Sequence, residues 1–246
     1  MMCGVISGVL YWRHTKRTAF PLLDPMLLVR HQQFRSAIIG GSIFRVGVGA
    51  TPFLLPLMLQ LAFGMTPFES GMITFIGALG AILSKFVAER AFAAFGFPRV
   101  LVFTSIGACL SLSFNGFFTP ETPHIILYGV LLAMGLMRST FFTGVNALGF
   151  SDVEEHEASQ ASAITAVSQQ LSIAFGVAVA GGALEVSAGM MGGKLSLEAF
   201  HAAWFAVAGI SLLSALLFWR LPADAASDVS GHKILKPPPK PPDTVL

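Results

Sequence analysis

Charge is the scarcest property of this sequence. Asp, Glu, Lys and Arg make up 11% of its 246 residues, where a soluble domain carries roughly 25%. A chain that is 54% hydrophobic, with a mean hydropathy of +0.73, must hide most of its length from water, and a bilayer does that. Its two cysteines, Cys3 and Cys109, exclude a disulfide framework or a thiolate metal centre. The basic residues form no face interleaved with aromatics, which excludes a nucleic-acid partner despite the net charge of +2. There is no G-x-S-x-G, no H-E-x-x-H and no phosphate-binding G-x-x-x-x-G-K-[ST]. The histidines are isolated. Neither an enzyme's catalytic set, nor a metal site, nor a cofactor site is legible.

What the chain does have is long apolar runs: Ser36–Ala62, Ser70–Ala88, Val100–Phe118, Pro123–Gly149, Ala161–Leu184 and Ala199–Trp219. Each is close to or above ~18 residues, the length that distinguishes a membrane span from a buried soluble helix. Inside lipid every backbone amide must be satisfied within its own segment, which favours helix. The alternation of a membrane β-barrel is absent. The fold class is therefore an all-α membrane protein, a six-transmembrane-helix bundle over 36–220.

Residues 1–12, "MMCGVISGVLYW", are too short to span and read as the remnant of a preceding membrane helix. Residues 13–35 are a polar cytoplasmic lead-in. Residues 221–246, with "KPPPKPP", read as a disordered Pro-rich tail. Basic residues orient the bundle. Arg13, Lys16, Arg17, Arg30 and Arg35, then Lys85, Arg90 and Arg99, then Arg220, Lys233, Lys236 and Lys240 all fall on one side, the cytoplasmic one. Lys194 falls on the other, and Arg45 and Arg138 lie within spans. Both termini are expected in the cytoplasm.

An arginine at a helix centre costs roughly 2.5–3.5 kcal/mol even on the gentler scales, so it should face a partner or a cavity. Arg138 shares a helical face with Gly135, Phe142 and Val145, with Asn146 at the edge. It either ties helices together through backbone carbonyls or lines a translocation cavity. Arg45 lies on a stripe with Gly41, Gly49, Pro52 and Pro56, which suits either a kinked moving helix or close packing. The fifth span carries Ser162, Thr165, Gln169, Ser172 and Gly176 on one face, as cavity lining or as interhelical hydrogen bonding. Lys85 and Glu89, at i and i+4, read as an interfacial pair. "SDVEEHEAS" reads as a solvated loop, with Ser159 near a helix start.

"MRSTFFTGVNALGFSDVEEHEASQASAITAVSQQLSIAFGVAVAGGAL" (Met137–Leu184) resembles the major facilitator superfamily, and within it the fourteen-span drug:proton antiporter branch. The likeness is carried by Arg138, Phe142, Asn146, Asp152, Ser159, Ala161, Ser162, Gln169, Gln170, Leu171, Ser172, Gly176 and Val177. "PLLDPMLLVRHQQF" (Pro21–Phe34) resembles the lead-in to the C-terminal six-helix bundle of such proteins, and "ERAFAAFGFPRVL" the family's loop motif. The resemblance implies half of a major facilitator fold, a 3+3 inverted repeat in a bacterial inner membrane. It implies a secondary transporter working by alternating access, with a missing N-terminal half as partner, an amphipathic small molecule as substrate and a proton as coupling ion. The cavity would be lined by Arg45, Arg138, Phe142, Asn146, Thr165 and Gln169, with Lys85, Glu89, Arg90, Arg99 and Asp152 at the cytoplasmic loops. Splitting at 119–122 makes the first and fourth spans equivalent, each with one arginine. A self-dimerising half-transporter and a non-transporting six-helix scaffold are the alternative readings.

Overall fold

A computed structural model of the chain describes residues 26–190, 195–222 and 225. The expectations for 1–12, for 13–25 and for nearly all of 221–246 lie outside the described residues. A one-turn helix, Leu27–Arg30, leads into six long helices: α1 (Gln32–Leu61), α2 (Pro67–Phe95), α3 (Phe97–Asn115), α4 (His124–Phe150), α5 (Ala158–Met190) and α6 (Leu197–Trp219). All six are long and apolar enough to cross a membrane. No strand occurs among the described residues.

The helix ends follow local chemistry. Thr66 caps α2 through a reciprocal capping box with Glu69, and Pro67 occupies the first turn. Gly96, at φ 77°, ends α2 and starts α3 in one residue, a conformation that glycine enters without strain. Several ends move from where hydropathy put them. α1 begins at Gln32, a turn before Ser36, and α2 runs on through Lys85, Glu89 and Arg90 to Phe95. Polar helix outside lipid carries no hydropathy signal. Glu155–Glu157 forms a 3-10 turn and α5 starts at Ala158, which puts Ser159 in the first turn, near the helix start.

The packing is that of two interleaved three-helix sets. α1 packs on α5 and α6, while α4 packs on α2 and α3; α1 also meets α4, and α3 meets α6. Exchanging α1–α3 with α4–α6 leaves these contacts unchanged, as a 3+3 repeat requires; α5 and α6 also pack together, where their equivalents α2 and α3 barely meet. Glycine permits the closest crossings: a Cβ on Gly80 would overlap the Leu132 carbonyl, one on Gly135 the Gly77 carbonyl, and one on Gly176 the Val46 carbonyl. In lipid, where apolar burial alone does not hold helices together, such approach supplies the van der Waals contact that does. The core runs through Phe44, Leu54, Met58, Leu101, Leu112, Phe141, Trp204 and Phe218. Phe68, Phe75, Phe86, Phe103, Leu171, Phe175 and Trp219 point outward.

Candidate functional site: an arginine cavity and a loop clamp

Two polar assemblies stand out, one in mid-bundle and one at the end where α1 begins. The first is built on Arg45. Helical side chains lean toward the N-terminus of their own helix, and Arg45 does so over a glycine: a Cβ on Gly41 would lie 3.3 Å from Arg45 Nη1 and 2.9 Å from Val145 Cγ1. The arginine is 7% exposed. Its Cζ sits 4.5 Å from the centroid of the Phe142 ring. Phe142 in turn packs edge-on against Phe44 and Phe141, at 5.6 and 5.8 Å. The guanidinium makes no hydrogen bond or ion pair with any described residue. The acidic residues on the described helices, Glu69, Glu89, Glu185 and Glu198, lie toward helix ends, away from its level.

Beside Arg45 is a cavity of about 10 Å³, room for one water-sized atom. Asn146 and Thr165 line it with Arg45, closed in by Phe34, Ala37, Ile38, Val145, Gly149 and Phe150. Asn146 is exposed at its rim. Thr165 donates its hydroxyl proton to the Ala161 carbonyl at 2.8 Å and so presents only an acceptor. Four residues that the sequence singled out thus come together: Arg45, Phe142, Asn146 and Thr165.

Arg138 and Gln169 do not join them. Both are half-buried, neither lines the cavity, and neither hydrogen-bonds to another described residue. The cavity lies on the α1-start side of Arg45, where Phe34 and Ile38 pack with Ala161 and Ile164. Thr165 is at that level, and Gln169 is one turn beyond it. The α5 stripe does not work as interhelical hydrogen bonding either. Ser162, Thr165 and Ser172 each bond the carbonyl four residues back in their own helix. Hydroxyl bonds between helices lie elsewhere: Ser84 of α2 donates to Ser139 of α4 at 2.6 Å, Ser139 contacts the Ala81 carbonyl at 3.3 Å, and Ser211 of α6 donates to the Phe44 carbonyl of α1 at 3.2 Å. Glu185 is exposed on α5.

The second assembly joins the lead-in to the α4–α5 loop. Asp152 accepts hydrogen bonds from the Gln33 and Phe34 amides, at 2.8 and 3.1 Å, and so caps α1 from a distant loop. Glu157, 8% exposed, accepts from Arg30 Nη1 and sits against His31 Nε2, both at 2.7 Å. Ser151 donates to Gln33 Oε1 at 2.8 Å. The acidic loop is therefore a clamp, where the sequence suggested a solvated segment. Glu157 and His31 were missed. The available signal was the basic "VRHQ" lead-in opposite the acidic "DVEEHE" loop. Lys85, Glu89, Arg90 and Arg99 are exposed, and Lys85 and Glu89 form no ion pair; water solvates each better than their mutual contact would.

A larger recess of about 440 Å³ between α2, α3 and α4 is lined by Phe95, Val100, Phe103, Leu136 and Met137, with Arg99 among its lining residues. Its surface is nearly all apolar; Thr104 and Thr140 are the other polar residues of its lining, and Thr104 donates to carbonyls of its own helix. No group of three or more His, Cys, Asp or Glu converges among the described residues.

This architecture, six spans in two interleaved triplets with cations inside, is that of one bundle of a membrane transporter. Residues 37–243 match the Major Facilitator Superfamily, and the chain belongs to that family. It is 32% identical over 232 residues to MdtD of Citrobacter koseri, a protein provisionally named for multidrug resistance, covering 91% of this chain and 48% of that one. It is 31% identical to MdtD of Escherichia coli O6:H1 over 236 residues, and to that of Escherichia coli O157:H7 over 235, covering in each case 92% of this chain and 49% of the relative. The chain spans about half the length of these relatives. With the family and its six spans, it is an integral inner-membrane protein of the transporter class.

Proposed function

We propose that this chain is the C-terminal half of a secondary active transporter that exports amphipathic organic compounds by alternating access, driven by proton entry. Its partner in this reading is an N-terminal six-helix half, which supplies the opposing wall of the cavity and the proton-coupling carboxylates. The observation that carries the reading is the buried Arg45, without an ion pair or hydrogen bond among the described residues, beside Phe142, Asn146 and Thr165. A charge in mid-membrane is costly unless it serves a cavity or a pathway, and here three helices converge on it. The multidrug names of the relatives support an organic substrate. Of the in-span positions, Arg45, Phe142, Asn146 and Thr165 form the inner part of the site in this reading, and Arg138 and Gln169 line it farther out.

The test is energised efflux. A drug-sensitive host expressing this chain together with the N-terminal half should extrude a fluorescent amphiphile, and collapse of the proton gradient should stop it. The chain alone should not transport, because half the cavity wall is lacking. Proton-driven export by residues 1–246 alone in liposomes would refute the half-transporter reading in favour of a self-dimer.

A further inference from the structure

We propose that the Arg45 site selects substrates carrying an acidic group, so that the compounds handled are anionic aromatic amphiphiles. This rests on the transporter reading above and deepens it.

The cation is the starting point. Arg45 is more than nine-tenths buried, and its five N–H donors meet no acceptor among the described residues. The Phe142 ring faces it at 4.5 Å but offers no lone pair. A buried guanidinium with open donors is matched by a carboxylate or similar oxyanion, one oxygen of which accepts charge-assisted hydrogen bonds from it. The cavity beside it takes one atom of water size, the size of a single acidic oxygen. Asn146, exposed at the rim, adds amide donors to the same oxygen set. Thr165 has committed its proton to Ala161 and contributes none, so the donors are Arg45 and Asn146.

The remainder of the ligand is also defined. The aromatic side chains beside the one-atom cavity are Phe142, half-buried against Arg45, and Phe150, an exposed residue of its lining. An aromatic body stacks there while its acid reaches Arg45. A cationic ligand has the opposite fate: it meets the buried Arg45 without an intervening carboxylate. The local field selects by sign.

The experiment compares 2-naphthoate with 2-naphthamide, two probes with one ring system and different charge, binding to the 246-residue chain in nanodiscs by titration calorimetry in chloride buffer. Naphthoate should bind at least roughly tenfold more tightly, the lower end of what charge-assisted hydrogen bonds give. Arg45→Met should erase that preference, Arg45→Lys should keep part of it, and Asn146→Ala, at an exposed position, should reduce it. Equal binding of acid and amide, tighter binding of a naphthyl trimethylammonium, or a preference that survives Arg45→Met would overturn the assignment. Displacement of naphthoate by equimolar acetate or chloride would also overturn it, in favour of a small-anion site. The two readings fail separately. A complete transporter that exports neutral or cationic compounds, with no acid preference in the chain, removes the anion assignment alone. A chain that prefers the acid, within a complete transporter that exports nothing, removes the transport reading alone.

Discussion

Replacing Arg45 by methionine should stabilise the bundle while destroying its site. An arginine at mid-helix costs roughly 2.5–3.5 kcal/mol in a membrane setting. Arg45 recovers part of this from the Phe142 ring, 4.5 Å away, an interaction worth up to about 2 kcal/mol when desolvated. No hydrogen bond or carboxylate among the described residues offsets the rest. Methionine has a similar reach and volume and adapts to irregular gaps, so it opens little new void beside the existing 10 Å³. The difference leaves Arg45→Met more stable by about 0.5–1.5 kcal/mol.

The assay is reversible unfolding of the reconstituted chain by SDS in mixed micelles, followed by far-UV circular dichroism. The midpoint should move to higher SDS in Arg45→Met with an unchanged slope. Arg45→Lys should fall near or below wild type, since it keeps the charge and loses the flat cation that meets Phe142. A loss of more than ~1 kcal/mol in Arg45→Met would mean that Arg45 is satisfied inside the bundle. The unpaired cation, and the ligand specificity drawn from it, would then fall together. A gain in stability on loss of a functional group is the usual sign of a site held at the expense of the fold.

The same unfolding assay reads three further substitutions. Asp152→Ala removes the carboxylate that caps the Gln33 and Phe34 amides and should cost ~1 kcal/mol, as loss of an N-cap does; hydrogen exchange should speed up in the first turn of α1 and not at its far end. Glu157→Gln keeps the shape and loses the charge facing Arg30 and His31; with Arg30 half exposed, the loss should be only about 1 kcal/mol, and a loss several times larger would mean that solvent does not screen the pair. Gly135→Ala drives a methyl into the Gly77 carbonyl; backbone cannot rotate aside as a side chain can, so α2 and α4 must separate, at roughly 1–3 kcal/mol, and an unchanged midpoint would refute the close crossing.

The number of spans and the class of the fold were legible because lipid imposes a length and a hydropathy on every crossing helix. The first turn of α1 was not, because what holds Gln32–Arg35 in helix is Asp152, far away in sequence. Hydropathy registers neither a remote cap nor the polar end of α2 beyond the apolar run. The arginine site was legible in type. Arg45 and Arg138 are conspicuous as charges in apolar runs, and the helical wheel of α4 put Phe142 and Asn146 on one face. Depth was what the wheel could not supply. It grouped Thr165 with Gln169, and only the fold back of Arg45 onto Gly41 makes the first a cavity residue and leaves the second out. Likewise, nothing in the α5 serine spacing distinguishes a hydroxyl that bridges helices from one that bonds its own turn.

The repeat itself accounts for why one arginine of the pair has a site and the other does not. Under the exchange of triplets, Arg45 and Arg138 are equivalent, and the residue four positions after each should be the neighbour that covers its twin. After Arg138 that residue is Phe142, which stacks on Arg45. After Arg45 it is Gly49, which packs against Ile173 and offers no ring. α1 and α4 run in opposite directions, and side chains lean toward their own N-termini, so the two cations diverge instead of crowding one another. By that lean Arg138, half-buried, is directed toward the α4 start, with no aromatic ring stacked on it among the described residues. In the complete transporter Arg138→Ala should lower efflux at near-normal expression, through the cation it adds to the approach, and should leave the naphthoate preference at Arg45 intact. Efflux assays on matched expression levels, with binding measured in parallel, separate the two arginines. Normal efflux from Arg138→Ala would remove it from the transport path and leave Arg45 as the only in-span cation with a function.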